Sequence, residues 1–229
     1  MGVETSQHYT GAAGVRYAAK RYSDVDRPVY DLNFRVFRPY INPGDRVLDF
    51  GCGNGGLLVR IRDHGADAEG LEVNAAAAAV AEGLGLHVYR QLEEVPAARY
   101  DVIVSNHVLE HVRDPSSTLE KLRAKLRPGG RLVMKLPIDD IRARRQRAWD
   151  REDIDHHLHT WTPRLIANTM FEAGFEVESC RVYAHALHDK LLPFHRTPLG
   201  PAVFKLFATV MHRRQLVAVG VNSRTPSES

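Results

Sequence analysis

Arg46-Val47-Leu48-Asp49-Phe50-Gly51-Cys52-Gly53-Asn54-Gly55-Gly56 decides how this chain folds. Val47 to Phe50 is a short apolar run interrupted by Asp49, with Gly44 before it and glycines after it. That pattern predicts a buried strand. The glycines that follow predict a turn, and Leu57-Leu58-Val59-Arg60-Ile61-Arg62 begins a helix. A strand, a turn poor in side chains and a helix N-terminus form a nucleotide cradle, because backbone N–H groups can approach a ligand closely. Gly51, Gly53 and Gly56 also spell G-x-G-x-x-G, which dinucleotide enzymes share and which is weak by itself.

The remaining bulk properties are ordinary. The chain has 229 residues, 44% hydrophobic and 26% charged, enough for one α/β domain with a sizeable core. Its 31 basic and 28 acidic residues leave a formal charge of +3, too balanced to demand a polyanionic partner. The two cysteines, Cys52 and Cys180, make no paired framework and suit a reducing compartment. No apolar run reaches membrane-spanning length, so no membrane partner is expected and a cytoplasmic location is. Met1 to Ser6 lacks the profile of a secretory signal. It matches the myristoylation pattern, but no polybasic segment lies beside it.

Downstream, Asp67 to Asn74 predicts a second strand ending near Glu72. That carboxylate stands about 20 residues beyond the first glycine, where it can accept hydrogen bonds from ribose hydroxyls. An alanine-rich helix follows over 75–85 and a short strand over 87–90. Asp101 to Ser105 predicts a central strand, placing Asn106 and His107 at its carboxyl end, where ligands bind in doubly wound sheets. Pro115 opens a helix that Arg127-Pro128-Gly129-Gly130 ends, and Arg131 to Pro137 predicts a strand. A helix over 162–173, a strand over 175–183, an apolar helix over 203–211 and a strand over 216–221 complete the chain. Upstream, a helix is expected over 29–40.

Three stretches together resemble the class I S-adenosylmethionine (SAM) dependent methyltransferases. They are Val47 to Gly55, Tyr100-Asp101-Val102-Ile103-Val104-Ser105-Asn106-His107-Val108-Leu109-Glu110-His111-Val112, and Leu126-Arg127-Pro128-Gly129-Gly130-Arg131-Leu132-Val133. They occur in the family's order over about 90 residues. The resemblance implies an α/β, doubly wound, Rossmann-like sheet of seven mostly parallel strands, the last antiparallel beside the fifth, with helices on both faces. It implies SAM as cofactor and S-adenosylhomocysteine as product. It places cofactor contacts at Asp49, Gly51, Cys52, Gly53, Glu72, Val73, Leu92, Asn106 and His107. An adenine contact at Gln91 or Glu93 is an imperfect match. Residues 1–45 would form a helical lid, with Arg16 and Tyr17 the residues to watch. Residues 46–229 would form the methyltransferase domain, with substrate-side insertions at 138–161 and 186–212.

Methyl transfer from a sulfonium needs alignment, exclusion of water and, for an alcohol, removal of a proton. His107 is the first candidate base, because a neutral imidazole at the strand end can take a hydroxyl proton. His111 and His157 are further candidates; packing is the alternative for each, and His159 shares the rim with His157. The Asp155-His156-His157-Leu158-His159 cluster is open to a metal or a substrate-rim reading, and no metal is expected. Trp161 reads as core. The run Arg142-Ala143-Arg144-Arg145-Gln146-Arg147 reads as a solvated face in preference to an anion or RNA clamp. The expected acceptor is a small molecule methylated at oxygen or nitrogen: a sugar, quinone precursor or secondary metabolite. Nucleic acid is not an expected partner, and the chain should be a monomer or homodimer. The alternatives are a SAM-binding module that does not methylate, and a dinucleotide dehydrogenase.

Overall fold

The computed structural model describes residues 9–21, 25, 28–138, 156–184, 197–210 and 214–223. The first motif folds as its pattern predicts. Strand β1 (Arg46–Phe50) is buried from Val47 onward. It is paired on one side with β2 (Asp67–Leu71) and on the other with β4 (Tyr100–Asn106), both parallel. A strand covered on both faces has no solvent side for polar residues, which explains its unbroken apolar character apart from Asp49. Helix α3 (Gly56–Asp63) leaves the glycine turn, with Leu58 and Ile61 fully buried.

All seven strands belong to one sheet, ordered β3-β2-β1-β4-β5-β7-β6. Strand β3 is His87–Tyr89, β5 Leu126–Pro137, β6 Glu176–Ala184 and β7 Arg214–Val221. Strands β1 to β5 are mutually parallel, while β7 lies antiparallel between β5 and β6. The order reverses at β1, between β2 and β4. That switch point is where open α/β sheets leave a crevice beyond their strand ends.

The helices are α1 (Gly11–Arg21), α2 (Pro28–Phe37), α4 (Ala75–Gly83), α5 (Pro115–Lys125), α6 (Pro163–Glu172) and α7 (Gly200–Val210). Asn74, Asp114 and Thr162 cap α4, α5 and α6 through side-chain oxygens, as these residue types do when backbone N–H groups lack partners. Apolar clusters cover both sheet faces. One gathers Leu48, Phe50, Ile103, Leu132 and Trp161, confirming the tryptophan as core; the other gathers Val47, Val102, Val104 and Val133 under Phe37 and Ile61.

Three sequence expectations change. The second strand stops at Leu71, because Asn74 is taken as the cap of α4. Leu126 to Gly130 is not a plain loop. It begins β5, with a register shift between Tyr100 and Val102, and Gly129 at φ 76° donates to the Asn222 carbonyl at 2.7 Å. Helix α1 was not expected; Ala12, Ala13, Ala18 and Ala19 favour it locally. The Arg142–Arg147 run, Asp155 and the myristoylation pattern lie outside the described residues.

Candidate active site

The carboxyl ends of β1, β2 and β4 meet at the glycine turn. Gly51 and Gly53 adopt φ of 80° and 56°, a region costly for other residues. A Cβ on Gly51 would stand 2.3 Å from Val108 Cγ2, so the turn packs directly under the segment after β4. Gly56 serves a different purpose. The Tyr30 ring of α2 lies over it, 2.4 Å from where its Cβ would be, and the Tyr30 hydroxyl donates to Asn54 Oδ1 at 2.8 Å.

Five of the turn's amides are engaged within the protein, which the cradle expectation did not foresee. Gly51 and Cys52 donate to the Leu71 carbonyl, Gly55 to the Cys52 carbonyl, Gly53 to Glu72 Oε2 and Gly56 to Asn54 Oδ1. A pyrophosphate needs such donors. A cofactor without phosphate does not, so this turn fits an adenosyl sulfonium better than a dinucleotide.

Two acids sit behind the turn. Glu72 is 7% exposed, and its Oε2 and Oε1 accept the amides of Gly53 at 2.9 Å and Asn74 at 2.7 Å. Each oxygen retains a lone pair for a sugar hydroxyl. Burial pushes the Glu72 carboxyl up, partly offset by those amides. Asp49 is buried and its Oδ1 has no partner. Burial, then the charge of Glu72, raises its pKa to about 8. Ser105 Oγ and Asn106 Oδ1, at the end of β4, are also buried without partners. Buried polar atoms are normally satisfied, so three orphans at adjoining strand ends mark a place for a polar ligand.

The other expected cofactor residues take varied positions. Cys52 is buried under the turn against Gly70, with its thiol pushed well up by burial. Val73 packs against the main core, in which Leu92, 2% exposed, lies. Gln91 and Glu94 form a capping box, and Glu93 reaches Lys121 at 3.9 Å.

His107 has φ 59°, and its amide donates to the Lys135 carbonyl at 2.9 Å. Its Nδ1 lies 3.1 Å from Glu110 Oε1. His111 is buried, its Nδ1 accepting from the Tyr9 hydroxyl at 2.7 Å while the ring also donates to the His156 backbone. Burial above all lowers its pKa to about 4, so it stays neutral and takes up no proton near neutrality. His157 is exposed, with its ring 5.0 Å from that of His111. His159 Nε2 lies 2.9 Å from the Val112 carbonyl, anchoring the rim. Ligand atoms of Glu110, His111 and His157 fall within 4.8 Å of one another.

Sequence reading missed Tyr9 and Asn74. Asn74 Nδ2 donates to the carbonyls of Tyr9 and Gly14 at 3.1 and 2.8 Å, and the Tyr9 hydroxyl meets His111, so the N-terminal end of α1 is tied both to the cap of α4 and to the segment after β4. Tyr17 stacks edge-on against Tyr9, while Arg16 is exposed. Asn before an alanine run is a readable cap signal; no local pattern announces Tyr9.

A family model described as a methyltransferase domain matches residues 19–180. The chain belongs to that family, the class I SAM-dependent methyltransferases, and SAM is its cofactor. A ubiquinone biosynthesis O-methyltransferase of Pseudomonas fluorescens is 36% identical over 121 residues, covering 46% of this chain and 52% of the relative. The chain thus spans about half the length of the curated relatives it matches. In fold, it resembles a methyltransferase solved with the Haloferax volcanii Trm112 activator: TM-score 0.69, 20% identity, 92% of this chain and 96% of that one. It also resembles the Haemonchus contortus phosphoethanolamine N-methyltransferase 2 in complex with SAM: TM-score 0.63, 14% identity, 95% and 58% coverage. No helix among the described residues is long and apolar enough to cross a membrane.

Proposed function

We propose that this chain transfers a methyl group from SAM to a small-molecule acceptor at oxygen or nitrogen, with a hydroxyl oxygen favoured. The observation that carries the proposal is the set of unpartnered buried polar atoms, Asp49 Oδ1, Ser105 Oγ and Asn106 Oδ1, at strand ends beside Glu72 and a half-buried imidazole. SAM supplies an activated methyl on a positively charged sulfur. Asp49 offers that charge a buried carboxylate. Glu72 accepts from the sugar hydroxyls while fixing the turn through Gly53. Gly51, Cys52, Gly53, Val73, Leu92 and Asn106 shape the shelf. His107, at the end of β4, takes the proton from an acceptor hydroxyl as the new bond forms. The name of the curated O-methyltransferase relatives supports oxygen as the target.

Helix α1 serves as a lid. Its ties to Asn74 and His111 hold it across the crevice and exclude water, with residues 1–45 supplying the cover and 46–229 the catalytic body. The rim near His157 meets the acceptor. Neither nucleic acid nor a membrane has a part in this reading, and the chain acts in the cytoplasm as a monomer or homodimer. Calorimetry with SAM, followed by transfer of radiolabelled methyl to a panel of phenols and amines, tests it. Binding without transfer to any acceptor would refute the enzymatic reading.

A further inference from the structure

The carboxylate of Glu110 is the least expected group in the molecule. It is 0% exposed, and among the described residues its Oε2 has no partner. Burying a carboxylate costs several kcal/mol unless charge or hydrogen bonds compensate it. Its closest side-chain partners among the described residues are imidazoles: His107 Nδ1 at 3.1 Å from Oε1, and His111 Nε2 at 3.9 Å from the same oxygen. Lys135 is the other charge nearby, but its ammonium donates to Asn33 Oδ1 at 2.7 Å. The carboxylate does not anchor the rim either. Leu158 and His159 donate to the Glu110 backbone carbonyl, at 2.9 and 3.1 Å.

The two imidazoles differ. His111 is enclosed, with the Tyr9 hydroxyl on Nδ1 and the His157 ring alongside. His107 has a side chain 31% exposed and sits at the strand end beside the glycine turn. It is also held in the left-handed region at φ 59°, a conformation that persists where surrounding structure enforces it and that clusters at functional sites. Burial pushes the Glu110 carboxyl up, but the His107 hydrogen bond brings it below the usual carboxylate value, the more so whenever a neighbouring imidazole is protonated. It is therefore an ionised acceptor, and His107 Nδ1–H is the donor. That tautomer leaves the lone pair on Nε2, the nitrogen able to accept a proton.

We propose that Glu110 is a positioning residue that fixes His107 as the Nδ1–H tautomer, so that Nε2 removes the acceptor's hydroxyl proton, and that the acceptor is accordingly an alcohol or phenol that is un-ionised when it binds. The inference rests on the proposed methyl transfer and deepens it. In the step, the oxygen–hydrogen bond passes its proton to Nε2, and the oxygen lone pair forms a bond to the methyl carbon. The sulfur leaves with the carbon–sulfur electron pair as a neutral thioether. The imidazolium that results is stabilised by the carboxylate on its other nitrogen, which stays unprotonated.

The test uses the full chain and two model acceptors, phenol and 4-nitrophenol, the second ionised at assay pH. With phenol, Glu110→Gln should lower kcat about 100-fold, while KM and the SAM dissociation constant change less than about threefold. With 4-nitrophenol, which brings no proton to remove, the loss should shrink to less than about fivefold. Glu110→Asp should recover part of the phenol rate. In a His107→Asn background, Glu110→Gln should cost almost nothing more, because the two act as a unit. Nitrogen-15 NMR of His107 should report Nδ1–H in the wild type whether or not turnover occurs.

Equal losses on both phenols would overturn the inference, as would an Nε2–H tautomer. So would activity abolished by chelation and restored by a divalent ion, which would make Glu110 a cation ligand. If the wild type binds SAM but methylates neither phenol, the hydroxyl reading fails, and the NMR tautomer still decides the Glu110–His107 pairing.

Discussion

Lowering the pH from 7 to 6 should weaken SAM binding about ninefold, and Asp49 is the reason. Its carboxyl is buried beside Glu72 and titrates at about 8 in the cofactor-free chain. At pH 7 it is about nine-tenths protonated, leaving an ionised fraction of about 0.09; at pH 6 that fraction is about 0.01. A ligand carrying a sulfonium and an ammonium favours the carboxylate, because an opposite charge nearby stabilises the ionised form. Binding must therefore expel a proton across this range, at a cost of about 1.3 kcal/mol per pH unit. The ligand's own amino group stays protonated below pH 7, so it does not confuse the result. Calorimetry in two buffers of different ionisation enthalpy measures both the affinity and the proton count, which should be about 0.9 released at pH 7. A flat dissociation constant with no proton release would refute the reasoning. The same shift has a sign for stability. The folded value lies above the unfolded one, so stability from this group is full at low pH and is lost as the pH rises from about 4 through about 8. Asp49→Asn should flatten the binding profile while raising the Tm of the cofactor-free protein at pH 8.

Glu72→Ala should weaken SAM by about 2–4 kcal/mol, read by calorimetry, through lost charge-assisted bonds to the ribose. It should also lower the cofactor-free Tm, because Gly53 and Asn74 lose their acceptors. Gly51→Ala should destabilise the chain by about 1–3 kcal/mol in urea unfolding, from φ 80° and the contact with Val108; an unchanged midpoint would contradict the packing described. Tyr9→Phe should speed SAM release about fivefold in stopped flow, by removing one hydrogen bond of about 1 kcal/mol from the lid. Unaltered release would separate α1 from cofactor retention.

Much of the architecture was legible because its determinants are local. Buried parallel strands announce themselves as apolar runs, and Gly51, Gly53 and Gly55 occupy left-handed positions that favour glycine. Glu72 and His107 were readable as candidates because strand ends at a switch point are known places for ligands. The glycine turn misled in one respect. Its amides donate to Leu71, Glu72, Asn54 and Cys52, and the sequence contains no mark of that pairing. Tyr9 and His111 meet across 102 positions, and local patterning carries no information about such a contact. Glu110 was visible within a motif, yet its role depends on a side chain three residues back that the left-handed turn folds onto it.

The placement of β7 sets an order of assembly. During synthesis β6 leaves the ribosome before β7, but β6 meets the sheet only through β7, which must slide between it and β5. Until residues near 221 emerge, β5 has an open flank rich in valine and leucine, and β6 has no mate in the sheet. The half holding β1 to β4 needs neither. A nascent chain can thus order its β1 to β4 half early and leave the β5 flank exposed, a window in which chaperones or sticky neighbours compete with the closing strand.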